Sequence, residues 1–248
     1  MWSVKRGKVL FGAVAALLGT LAFTSSALAK DNKCDGLPSH DQLRTALQAA
    51  VAAGGGGFGL NMWGTVVNRD GIVCAVAFTG ASRGDQWPGS RVISAQKANT
   101  ANAFSLPGLA LSTANLYSAV QDGQSLFGLQ FSNPVDTKAA YSGNSANNGQ
   151  SNDPMVGDKI GGVNVFGGGL GLYTAGGTLI GGIGVSGDTS CRDHWIAWET
   201  RKGLSLNNTP TNDNIIYDLT VDPITGHTTS ASGFGHPACN PTSPTPAS

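Results

Sequence analysis

Thr178-Leu179-Ile180-Gly181-Gly182-Ile183-Gly184-Val185 runs through Ser186-Gly187-Asp188-Thr189 into Ser190-Cys191-Arg192-Asp193-His194-Trp195-Ile196-Ala197-Trp198. The β-branched and aliphatic residues predict a strand over Thr178–Val185. Asp188 or Thr189 is the N-cap of a helix predicted over Ser190–Lys202. Gly182 to Gly187 also matches G-x-G-x-x-G in the strand-to-helix setting of a dinucleotide fingerprint. The helix is followed by an Asn/Pro-rich stretch instead of a second strand, and Glu199, near the spacing of a ribose carboxylate, falls inside the helix, so no βαβ unit is evident. We therefore read a glycine-studded strand that passes close to a neighbouring helix. The backbone N–H groups of Gly187 to Thr189, at a helix start, would suit an anionic group.

Just before this stretch, Ile160–Phe166 and Leu170–Thr174 are predicted strands, with the glycines after Phe166 and Gly176-Gly177 as turns. Upstream, Leu43, Ala46, Leu47, Ala50 and Val51 recur at helical spacing over His40–Ala53, and Gly54-Gly55-Gly56-Gly57 ends the run. Trp63–Val67 and Ile72–Phe78 flank Asn68-Arg69-Asp70-Gly71, whose Asp-Gly pair predicts a tight hairpin. A second helix is expected over Arg91–Phe104, stopped by Pro107, with Lys97 and Arg91 on a solvated face. Ser112–Val120 reads as helical, Leu126–Phe131 as extended, and the Asn/Ser/Gly-rich stretch Asn133–Asp158 as a long surface loop. After Gly203 comes one β-like run, Ile215–Val221, then a Pro/Ser/Thr-rich end whose last residues are expected to be disordered. Runs of strands set between helices predict an α+β layered fold, a single domain with a central antiparallel sheet flanked by helices.

Composition narrows the class. The chain has 36 glycines, 12% charged residues and equal numbers, 15 each, of basic and acidic side chains, so no basic face is available for nucleic acid. Its 40% apolar content is enough for a packed core and excludes global disorder. Lys5-Arg6-Gly7-Lys8, an apolar run from Val9 to Phe23, and Ala27-Leu28-Ala29 have the order of a signal peptide cleaved after Ala29. The apolar run is shorter than the ~20 residues that span a bilayer, so stable membrane insertion is not expected. A periplasmic or secreted chain results, with 12 basic against 15 acidic residues after cleavage. Four cysteines remain, Cys34, Cys74, Cys191 and Cys239, and in that compartment they imply two disulfides. Three connectivities are possible; Cys34 with Cys74 and Cys191 with Cys239 is preferred, because it pins each terminal segment to the core. No spacing suits structural zinc.

Gly80-Ala81-Ser82-Arg83-Gly84 matches G-x-S-x-G, but Asp85-Gln86-Trp87-Pro88-Gly89 continues as a loop where a nucleophile elbow needs a helix. Of the histidines His40, His194, His227 and His236, His194 lies on the Trp-rich helix and two lie in the tail. Imidazole is a good axial ligand for haem iron. Trp195, Trp198 and Tyr173 read as core packing.

Thr65-Val66-Val67-Asn68-Arg69-Asp70-Gly71, Ser94-Ala95-Gln96-Lys97-Ala98-Asn99-Thr100-Ala101, Ile160-Gly161-Gly162-Val163 and Ile180 to Gly187 are four stretches that, taken together, resemble the haem-binding family of the HbpS and GlcG type. They match, in order, the family's V-D-x-x-G hairpin, A-x-x-K-A-x-T-A helix, G-G-V-P strand and I-G-A-I-G-V-S-G turn. The resemblance spans about residues 40–203 and implies a profilin-like, GlcG-like layered domain, often a homo-oligomer, that binds haem or a related tetrapyrrole. Its motif positions fall here on Lys97, Thr100, Gly162, Gly184, Ser186, Gly187 and Asp193. Asn164 replaces the motif proline, and the 133–158 loop, the cysteines and the extension past Gly203 are additions.

The expected organisation is a signal peptide over 1–29, a haem-binding domain over 30–203 and a C-terminal extension over 204–248. The expected cofactor contacts are His194, Thr100, Lys97, Gly187 and Asp193, with His194 and His236 as the iron ligands and the helix start or a cation for the propionates. Two other functions stay open. One is an exported enzyme acting on haem or a small organic acid, with Asp193 or His194 moving protons. The other is a non-catalytic module that engages an envelope protein.

Overall fold

The computed structural model describes residues 33–240. The predicted signal segment and the end for which disorder is expected lie outside the described residues.

A four-stranded, fully antiparallel sheet has the order β2-β1-β4-β3, formed by β1 (Trp63–Asn68), β2 (Val73–Phe78), β3 (Gly169–Tyr173) and β4 (Leu179–Ser186). Helix α1 (His40–Ala52) begins with a reciprocal cap: Gln42 N–H donates to Ser39 Oγ and Ser39 N–H donates to Gln42 Oε1. The β1–β2 turn is set by Asn68, whose Oδ1 accepts the N–H groups of Asp70 and Ile72, and by Gly71 at φ +76°.

The two faces of the sheet differ in kind. Val66, Ala75, Ala77, Leu170, Leu172, Ile183 and Val185 pack under α1 and α5 (Ser190–Gly203), joined by Leu43, Leu47, Ile196 and Trp198. On the other face α2 (Ser90–Phe104) rests directly on Gly169 of β3 and Gly182 and Gly184 of β4, and Gly171 lies under Ser105 just past its end. A Cβ at Gly184 would lie 1.9 Å from the Ser94 carbonyl oxygen, and one at Gly182 would lie 2.4 Å from that of Ala98. The G-x-G spacing is thus period-two alternation: aliphatic residues face one layer and bare backbone admits a helix on the other. The dinucleotide reading is excluded, since β4 pairs antiparallel with both its neighbours.

Several sequence expectations are corrected. Ile160–Phe166 is no strand: Gly161 and Gly162 have φ of +61° and +80°, and α2 side chains take up the backbone groups, Asn99 Nδ2 donating to Gly162 O and Asn164 N–H to Thr100 Oγ1. Leu126–Phe131 turns at Gly128, φ +87°, into the short helix α3 (Leu129–Ser132). Ser112–Val120 is a set of turns ending in a 3₁₀ turn at Ser118–Val120. The 133–158 stretch is a packed cover carrying α4 (Thr137–Ala140) and the buried side chains of Ala140, Asp153 and Met155. Within Ile215–Val221 only β5 (Leu219–Val221) is a strand, paired with β6 (Thr228–Ser230). Arg91 and Lys97 are buried, not solvated, and each is paired with an aspartate. The bridges are Cys34–Cys74 and Cys191–Cys239.

Candidate functional site at the start of helix α5

Helix α5 begins where β4 ends, and its first turn collects most of the chemistry. Thr189 is the N-cap, its hydroxyl accepting from Arg192 N–H. Asp188 instead caps the 57–60 loop, accepting from the N–H groups of Phe58 and Leu60. The Asp188 N–H in turn donates to Asp193 Oδ1 at 2.9 Å. The donors expected to hold an external anion at Gly187–Thr189 are thus served in part by the protein's own carboxylates. Gly187 is there because a Cβ would fall 2.5 Å from Asn61 O.

Lys97 on α2 and Asp193 on α5 stand on opposite faces of the sheet, yet Lys97 Nζ reaches Asp193 Oδ2 at 2.7 Å and the Val185 carbonyl at 3.1 Å. The glycine surface permits this, because Gly168 and Gly169 place no side chain between the layers. Both groups are buried. Burial pushes the Asp193 carboxyl up to about 6 against the pull of Lys97, and burial also holds the Lys97 amine below its ordinary range.

At the next position, His194 is fully buried, and neither ring nitrogen has a hydrogen-bond partner among the described residues. Burial, with Arg201 and His236 nearby, lowers it to about 3, although Asn214 favours its protonated form. His236 arrives from the tail and is also buried, its ring nitrogens bonded to Ser190 Oγ at 2.8 Å and Pro237 O at 2.7 Å, with Tyr117 against its ring. Burial lowers it to about 4. Ser190 Oγ also accepts from Gly167 N–H at 2.7 Å. Beyond it, Arg201 makes a two-point ion pair with Asp213, at 2.6 and 2.8 Å, and this pair and the Cys191–Cys239 bridge fasten the tail along α5.

The structure therefore gathers Lys97, Asp193, His194, His236 and Gly187 around one helix start. Thr100 stands apart: its hydroxyl donates to Gln96 O and accepts from Asn164 N–H. Ser190, Asp213 and Tyr117 belong to the site and had no sequence signal, apart from the position of Ser190 after an N-cap. A hollow of about 720 Å³ between α1 and α5, lined among others by Thr45, Ala49, Glu199 and Lys202, contains none of the predicted residues. His227 is exposed on the β5–β6 ribbon.

For a haem, the donor chemistry fits: two neutral imidazoles lie together, one of them unbonded among the described residues. The enclosure is tight, since Asn214 and His236 from the tail adjoin His194. Lys97, expected among the cofactor contacts, is already neutralised by Asp193.

The fold and site define a single-domain, sheet-and-helix protein with a buried imidazole pair at a helix start. Residues 38–202 match the family model described as haem degrading protein HbpS-like, and the chain belongs to that family. No curated protein matches the chain. Among solved structures it is similar to a PduOC:heme complex, at 22% identity over 68% of this chain and 94% of the other, TM-score 0.47. It is also similar to the Klebsiella pneumoniae protein ORFY, at 25% identity over 66% and 86%, TM-score 0.44, and to a double mutant of HbpS from Streptomyces reticuli, at 17% identity over 78% and 97%, TM-score 0.38.

Proposed function

We propose that this chain is an exported haem-binding protein that handles haem in an oxidising compartment. The observation that carries the reading is His194, a neutral imidazole with both ring nitrogens unbonded among the described residues, inside a domain that matches a haem family. His194 is the first axial ligand of this proposal, and His236 the second. Haem bound there would supply its iron to the imidazole and its propionates to the polar groups of the α5 start. In this reading residues 1–29 are removed on export, 30–203 form the haem-binding domain, and 204–248 are a cover that moves aside on binding. Homo-oligomers and an envelope partner accompany it, and among the described residues no helix is long and apolar enough to cross a membrane.

Binding is favoured over proton-transfer catalysis because both Asp193 oxygens are engaged inside the protein, one by Lys97 and one by the Asp188 N–H. The test is a hemin titration of residues 30–248, followed by absorbance. A saturable one-site shift that is lost in His194→Ala supports the proposal. A spectrum that remains the sum of free hemin and protein overturns it, and a shift unchanged in both His194→Ala and His236→Ala overturns the ligand assignment. Decay of the haem bands with a reductant and oxygen that depends on His194 would instead favour degradation.

A further inference from the structure

Cys191, Cys239 and His236 each place one potential ligand atom within 4.8 Å of the others. With the Cys191–Cys239 bridge closed, its two sulfurs are not available as thiolates. We propose that reduction of this bridge converts it into a cation site of two thiolates and one imidazole, selective for a borderline or soft ion such as Zn²⁺. The chemistry balances with a dithiol as reductant. The dithiol is oxidised to its own disulfide and the bridge becomes two thiols, which release two protons as the ion binds.

Three features make this cluster more than a chance meeting of ligands. Cys191 is the second residue of a 14-residue helix, and its N–H donates to Cys239 Sγ at 3.1 Å, so once the bridge is reduced a helix N-terminus would favour the thiolate at that sulfur. His236 has both ring nitrogens held, one by Ser190 Oγ and one by Pro237 O. Whichever nitrogen turns to the ion, the other keeps an oriented partner, as metal-binding imidazoles do. Finally, Cys239 is only half-buried, on a tail segment near the chain end, whereas Cys191 and His236 are buried. Thiolates around zinc lie about 3.8 Å apart in a tetrahedral set, and a small shift of the tail at Cys239 provides that separation. Three protein ligands leave one position for water or a substrate atom.

The test uses the full mature chain, reduced with a water-soluble phosphine that leaves no thiol to compete, and titrated with Co²⁺ as a spectroscopic stand-in for zinc. One Co²⁺ per chain, with thiolate charge-transfer bands and at least ~100-fold tighter binding than to the oxidised protein, is expected. Cys191→Ser/Cys239→Ser should abolish the bands, and His236→Gln should weaken binding by about tenfold or more. Cys34→Ala/Cys74→Ala, which leaves the cluster intact, should keep both the bands and the affinity, and so guards against loss through misfolding. The proposal is overturned if the reduced protein gives no thiolate bands, if the bands survive in Cys191→Ser/Cys239→Ser, or if His236→Gln binds like the wild type.

Discussion

Gly184→Ala should be among the most destabilising single methyl additions to this chain. The new Cβ would lie 1.9 Å from Ser94 O and 2.5 Å from Ala98 N, both backbone atoms of α2. A carbon–oxygen contact needs about 3.3 Å, so the helix must withdraw by more than ~1 Å. Val92, Ala95 and Ala98 would lose contact with the sheet, and a gap of that size forfeits a quarter to a half of each dispersion contact. Overpacking costs about 1–3 kcal/mol where side chains can yield. Here the obstacle is backbone, and α2 is tethered by Arg91 to Asp153 and by Lys97 to Asp193, so about 3 kcal/mol or more is expected. At ~2–4 °C per kcal/mol for a domain this size, the melting midpoint should fall by about 6–12 °C. Urea unfolding with the disulfides intact measures it, with Gly108→Ala as control, since nothing lies within 4 Å of a Cβ there. The control should stay within ~0.5 kcal/mol of wild type. A Gly184→Ala midpoint equal to wild type, at unchanged slope, would refute the close-approach account of the glycine pattern.

Asp193→Asn leaves Lys97 as a buried cation without its counterion and should cost about 3–5 kcal/mol, whereas Lys97→Met/Asp193→Leu should recover most of that; additive losses in urea unfolding would count against a coupled pair. Stability should fall as the pH drops from 6.5 toward 4. His194 and His236 have folded values of about 3 and 4, below their unfolded value, so their contribution is complete above 6.5 and is lost on acidification. By pH 5 each loses about 2 kcal/mol, while Asp193, raised to about 6, works in the opposite direction and returns about 1 kcal/mol. His236→Gln should flatten that slope, and a stability that is level from pH 7 to 5 would contradict the buried neutral imidazoles. Cys191→Ser/Cys239→Ser opens a link of sequence separation 48 and should cost about 4 kcal/mol. It should also speed hemin uptake if the tail covers the site, and an unchanged association rate would argue that it does not.

The sheet and its helices were legible in the sequence because each is a local pattern: helical spacing in α1, an Asp-Gly turn between β1 and β2, and a cap before α5. What failed was the irregular backbone. Ile160–Phe166 carries β-branched residues and looks extended, yet it forms no strand, because side chains some 60 positions earlier, Asn99 and Thr100, take up its backbone groups. No window of sequence around Ile160 contains that information. The long 133–158 loop misled for the same reason: its Asn and Ser content signals solvent, while one buried carboxylate, Asp153, accepts from Arg91, Gly149 and Met155 and folds it onto α2.

The site was half legible, and the division follows from how far a contact reaches. Lys97 and Asp193 entered as motif positions, and the structure gives them a joint role as an ion pair between helices on opposite faces of the sheet. A lysine on one face of a sheet can meet an aspartate on the other only if the strands between are bare, so the glycines and the ion pair are one feature. The same holds for His194 and His236. His194 falls inside the 38–202 match and His236 outside it, and they are neighbours only because the Cys191–Cys239 bridge and the Arg201–Asp213 pair draw the tail back along α5. Beside His194, the proposed ligand residue, this chain has set a second imidazole, a disulfide and a strap of tail. The extension is therefore where its ligand chemistry should depart from that of the bare domain.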